Sequence, residues 1–153
     1  MAETRLTVPE ALAQAMASHR AGNLADAERL YRSILQASPE HADALHLLGV
    51  IAHQRGRHEE AIRLIDRALA FRPDFAEAHG NRGYILAALN RHQAALASYE
   101  RALALKPDDV EALSRRGNTL CALNRPQEAL ASYERALALR PDHAEALNNR
   151  GSA

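Results

Sequence analysis

The chain has 153 residues, and its nineteen basic and nineteen acidic side chains cancel to a formal net charge of zero. That balance argues against nucleic acid and anionic membrane as partners, since both call for a clustered basic excess. No apolar run approaches the roughly 18 residues of a membrane span, and the start, MAETRLTVPEALAQ, carries Glu3 and lacks the apolar core of a signal peptide. With Cys121 as its single cysteine the chain cannot form an internal disulfide. The expectation is a soluble, cytoplasmic protein.

Residues 1–7 read as a lead-in, and Thr7 with Glu10 has the spacing of a capping box that opens the first helix. Gly22-Asn23 closes it, and a second helix runs to Pro39. The same plan then recurs. Pro39, Pro73, Pro107 and Pro141 are spaced by 34 residues, and so are Gly49, Gly83, Gly117 and Gly151. The period defines units 8–41, 42–75, 76–109 and 110–143, with 144–153 beginning a fifth. Within unit 76–109, Ala78, Gly83, Leu86 and Leu89 mark one face of a first helix. Ala95, Leu96, Tyr99, Ala102, Leu103 and Leu105 mark a second, with the spacings of three and four that helices require. Gly56-Arg57, Asn90-Arg91 and Asn124-Arg125 supply the remaining turns, because Gly and Asn tolerate the left-handed conformation that closes a helix. Each second helix is expected to stop at its proline. Asp74 with Glu77, Asp108 with Glu111 and Asp142 with Glu145 are expected to cap the next one. Pro126 falls in a first turn, where its missing N–H costs little. Helices of about 13 residues are marginal alone in water, so packing must hold them.

One stretch occurs twice. Ala95–Asp108 and Ala129–Asp142 differ only at Lys106 and Arg140. The small Gly49, Gly83 and Gly117, the alanines Ala27, Ala61, Ala95 and Ala129, the aromatics Tyr31, Tyr99 and Tyr133, then Ala68, Ala102 and Ala136, and the closing prolines resemble the tetratricopeptide repeat. The resemblance covers 8–143. It implies an all-α, right-handed superhelical solenoid of antiparallel helix pairs whose first helices line a concave groove. It also implies a protein–protein interaction scaffold. Unit 8–41 departs from the pattern at Ala15 and Ile34, and unit 42–75 at Ile65; divergence at the N-terminal end suits a capping unit. The wording PDFAEAHGNRG and AERLYRSILQASPEHADALHLLGV is further similar to bacterial arrays ahead of O-linked N-acetylglucosamine transferase-like domains. That adds the reading of a substrate-selecting arm of a larger glycosyltransferase-like enzyme, and the end at Ala153, ten residues into a first helix, adds the expectation of a fragment of a longer array.

Carried onto this sequence, the family's groove positions fall at His46, Val50, His53 and Gln54, at Asn81 and Tyr84, at Ser114, Arg115, Asn118 and Cys121, and at Asn149. The asparagine ladder of the transferase-like arrays is matched at Asn81 and Asn149 but interrupted by Leu47 and Arg115. The expected occupant is an extended peptide or a partner helix. A carboxylate clamp for chaperone tails is matched only at Asn118. Arg82, Arg116 and Arg150 stand where the family more often has leucine. Their stems are expected to cover apolar surface while their heads pair with carboxylates, and the competing reading is an anion-binding row. His46 and His53 lie two turns apart on one helix, about 10.5 Å, too far to share a metal that needs donors near 2 Å. No metal, no cofactor and no catalysis are expected, since every glycine has a structural task and Cys121 has no evident base. Incomplete cover over Tyr133, Ala136 and Leu137 suggests a further possibility, end-to-end self-association through the C-terminal repeat.

Overall fold

A computed structural model describes residues 5–153, so Met1–Thr4 of the expected lead-in lie outside the described residues. Nine α-helices and no strand occur among the described residues: α1 Val8–Arg20, α2 Leu24–Ala37, α3 Ala42–Gln54, α4 His58–Phe71, α5 Ala76–Ala88, α6 His92–Leu105, α7 Val110–Ala122, α8 Pro126–Leu139 and α9 Ala144–Ser152. The fold is all-α, as the periodicity requires. None of these helices is long and apolar enough to cross a membrane.

The chain forms two compact units, one ending at Pro73 and the other beginning at Asp74. In the first, α1 folds back on α2, α3 on α4, and α2 packs against α3. In the second, α5 pairs with α6 and α7 with α8, α6 packs on α7, and α9 lies on α8. The turns inside the pairs close as their residues dictate. Gly22, Gly56, Asn90 and Asn124 all adopt positive φ, between 57° and 81°. Second helices stop where expected: Ser38, Arg72, Lys106 and Arg140, each just before a proline, swing out to φ between −135° and −141°. The proline's ring pushes the preceding residue away from helical geometry.

Thr7 and Glu10 form the capping box, each side chain bonding the other's backbone N–H. The other three expected boxes do not form. The N-caps are one residue later, at Phe75, Asp109 and His143 instead of Asp74, Asp108 and Asp142. The reason lies in the turn. Asp109 N–H donates to Lys106 O and His143 N–H to Arg140 O, so Pro107 and Pro141 hold the second position of a four-residue turn and the following aspartate its third. The capping task passes to the fourth residue, which Asp109 performs with Oδ1 and His143 with Nδ1. Phe75 has no acceptor to offer.

Close approach within a pair depends on missing side chains. A Cβ built on Gly83 would stand 2.9 Å from the Tyr99 ring, and one on Gly117 closer still to Tyr133. Tyr133 therefore seats its ring against bare backbone. Around it lies the second unit's core of Leu96, Val110, Leu113, Leu120, Ala129, Ala136, Leu137 and Ala146. The first unit buries Tyr31, Ile34, Leu45, Leu48, Ile51 and Ile65 in the same way.

Candidate functional site

The second unit gathers its candidates on α5, α7 and α9. Tyr84 of α5 is 46% exposed, and the Arg115 guanidinium of α7 sits 4.5 Å from its ring centroid, a cation–π contact. One turn on from Arg115, Asn118 is engaged through both ends of its amide. Its Oδ1 accepts from Tyr133 Oη at 2.6 Å and from Asn149 Nδ2 at 2.7 Å, while its Nδ2 donates to Glu145 Oε1 at 2.7 Å. Cys121 Sγ lies 3.7 Å from Tyr133 Oη and is exposed. Burial holds the Tyr133 and Tyr99 hydroxyls protonated well above the ordinary tyrosine range. Asn118 and Cys121 thus meet at one phenol, and Asn149 joins them through Asn118. The sequence reading missed Tyr133 and Glu145 as members of this network. Its signal was there in the spacing, since Asn118 and Tyr133 face each other across one helix pair.

Not every candidate reaches an open surface. Ser114 is 0% exposed and His46 1%, so neither side chain presents itself to a ligand. Asn81 is half-buried on α5, as is Val50 on α3. Burial also lowers the His46 pKa to about 4, with Asp43 opposing that shift and Arg72 adding to it. In the first unit Gln54 is exposed and its Oε1 lies 3.0 Å from His19 Nε2. His53 Nδ1 is 2.8 Å from His58 Nδ1, so the two imidazoles share one proton. Burial and the neighbouring His58 both hold the His53 pKa down.

Two of the three arginines at the unusual repeat position, Arg82 and Arg116, find serines. Arg82 Nη1 donates to Ser98 Oγ at 2.8 Å, and Arg116 Nη1 to Ser132 Oγ. Arg116 also comes within 3.7 Å of a carboxylate, that of Glu100. Ser98 and Ser132 are buried on the second helices, and a buried hydroxyl needs a partner more than an exposed carboxylate does.

Glu111, His143 and Glu145 each place a donor atom within 4.8 Å of the others. The cap geometry decides what that cluster can do. His143 Nδ1 accepts from Ala146 N–H at 3.2 Å, so its proton sits on Nε2 and is donated to Glu111 Oε1 at 3.0 Å. A metal at Nε2 would need the proton moved to Nδ1, directly against a backbone N–H. This hydrogen bond, with help from Arg115 and Arg140, holds Glu111 below the usual carboxylate range. The cluster is a helix-cap relay.

The tetratricopeptide repeat profile matches residues 18–81 in one form and residues 76–109 and 110–143 in another. No curated protein sequence matches the chain. Among solved structures, the first tetratricopeptide domain of Spaghetti, bound to the HSP90 peptide SRMEEVD, is 30% identical; the match covers 72% of this chain and 88% of that one, with a TM-score of 0.71. YrrB, described as a tetratricopeptide protein with an unusual peptide-binding site, is 20% identical over 95% of this chain and 75% of its own, with a TM-score of 0.82. MamA of Desulfovibrio magneticus RS-1 is 19% identical over 95% and 82%, with a TM-score of 0.87. At such identities the last two share the fold. From residue 18 to residue 143 the profiles run without a gap, and the chain belongs to the tetratricopeptide repeat family.

Proposed function

We propose that the chain is a non-enzymatic scaffold that holds a peptide segment of a partner protein against its first helices. In the second unit the contact surface is Tyr84 and Arg115, bordered by Asn81, Asn118, Cys121 and Asn149. In the first it is Val50, His53 and Gln54. The observation that carries this reading is the half-exposed Tyr84 ring braced by Arg115. Exposed aromatic and arginine side chains held in fixed geometry are the commonest anchors of protein interfaces, because little entropy remains to be lost on binding. Two of the similar structures are of peptide-binding proteins, which supports the class of ligand. Asn118 contributes as a brace, since its amide is already committed to Tyr133, Asn149 and Glu145.

Peptides selected by display should lose about tenfold or more in affinity on Tyr84→Ala and again on Arg115→Ala, the size expected for an interface anchor. Fluorescence anisotropy on the selected peptide reads the loss. Unchanged affinity in both variants would remove the assignment.

A second reading, self-association through α8 and α9, has its own observation, though not at Tyr133, Ala136 and Leu137, which are buried rather than partly uncovered as expected. Leu96 is 3% exposed, yet Leu130, its counterpart in the repeated stretch, is 37% exposed; Leu113 is 1% exposed and its counterpart Leu147 41%. An apolar face that one repeat buries and the next leaves open favours a second copy. Sedimentation at high concentration should show dimer, abolished by Leu130→Lys with Leu147→Lys. A strict monomer would end this reading.

A further inference from the structure

Arg116 lies two residues from Asn118 on α7, about 200° around the helix, and so points away from the candidate groove. It lines a cavity of about 390 Å³ between α6, α7 and α8 whose other walls are Glu100, Leu103, Ala104, Leu113, Ala131, Ser132 and Arg135. Three features define the chemistry of this cavity. The Arg116 guanidinium is fixed by its bond to the buried Ser132 hydroxyl, which leaves most of its five N–H donors unspent. Arg135 has no ion pair or hydrogen bond among the described residues. Glu100 approaches Arg116 Nη2 only to 3.7 Å, beyond hydrogen-bond reach, and one carboxylate leaves two guanidiniums with a net positive charge. The floor is aliphatic, and the volume is in the range of pockets for organic ligands rather than bare ions.

We propose that this cavity is a second peptide-binding site, on the side of the second helices, for an acidic side chain flanked by small aliphatic residues. The carboxylate would take the unspent donors of Arg116 and pair with Arg135, while the aliphatic neighbours lie on Leu103, Ala104 and Ala131. Fixed guanidinium geometry favours a planar carboxylate, which can accept two parallel N–H bonds. The site is independent of Tyr84 and its neighbours, so either can fail without the other.

The probe is the blocked peptide acetyl-Ala-Glu-Leu-Glu-Ala-amide, titrated into the whole chain at low salt with the arginine Nε–H resonances observed by NMR. The expected result is a shift of the Arg116 and Arg135 signals, with none from the glutamine version of the peptide. Arg135→Gln, at an exposed position, should weaken binding about tenfold or more with an unchanged thermal melt, and Arg135→Lys should restore part of it. Equal binding of the glutamine peptide, full affinity in Arg135→Gln, or no binding at millimolar peptide would each overturn the proposal. Displacement of the peptide by an equal concentration of inorganic phosphate would also overturn it, because that marks a bare oxyanion site.

Discussion

Truncating Tyr133 to alanine is expected to destabilise the second unit by about 3–5 kcal/mol, the usual cost of removing a buried aromatic side chain. The ring sits against the bare backbone of Gly117 and is surrounded by Leu96, Leu120, Ala129 and Ala136, none of which can extend to fill the vacated space. Tyr133→Phe isolates the hydroxyl. It keeps the packing and removes the 2.6 Å bond to Asn118 and the weaker 3.7 Å contact with Cys121 Sγ, so about 1 kcal/mol should be lost. Asn118 would retain Asn149 and Glu145 as partners. Thermal melts of the two variants should therefore separate widely. In a chain of this size the alanine variant is expected to melt roughly 10 °C lower. Equal, small shifts for both would contradict the packing described. Because a repeat array need not unfold in one step, the transition should be followed by probes in each unit.

Lowering the pH from neutral to about 4 should weaken the first unit through His46. Its pKa is near 6.5 unfolded and about 4 folded, because burial penalises the imidazolium more than Asp43 supports it. Between those two values the unfolded chain binds the extra proton and the folded chain does not, so stability falls as pH falls. At 1.36 kcal/mol per unit, the whole interval amounts to about 3 kcal/mol. His53, also held down, acts in the same direction. Carboxylates such as Asp43 and Glu28, lowered by their arginine partners, extend the loss to still lower pH. Urea melts at pH 7 and pH 4.5 measure the effect. His46→Gln should reduce the difference between them substantially, and an unchanged difference would show that the acid sensitivity has another source.

The repeat was legible because it is written in residues whose backbone chemistry is local. A proline ends a helix wherever it stands, and a turn that needs positive φ takes Gly22, Gly56, Asn90 or Asn124. The caps were misplaced by one residue for a related reason. Aspartate is a good cap in isolation, but Pro107 and Pro141 each draw the following aspartate into a turn and leave the cap to its neighbour. Side-chain destinations were harder to read. His46 and Ser114 occupy groove positions by analogy yet are covered, and nothing in their own identity announces that. Arg82 and Arg116 could be expected to seek carboxylates. They also bond serines, because Ser98 and Ser132 are buried within reach, a fact of how each helix pair crosses. The pairing of His53 with His58 crosses a turn whose bend is set by Gly56, which a reading of single helix faces does not see.

The twice-written stretch Ala95–Asp108 and Ala129–Asp142 builds the packing, with Tyr99 and Tyr133 seated on Gly83 and Gly117. The first helices, where the repeats differ, carry the proposed specificity. The most direct test uses peptides selected by display on the Arg135→Gln protein, in which the cavity between α6 and α8 has lost its free cation. Amide chemical shifts are then mapped on binding. The largest changes are predicted at Tyr84, Arg115, Asn118 and Asn149, with the outward positions of α6 and α8 unmoved. Changes concentrated on α6 and α8, with Tyr84 silent, would contradict the account.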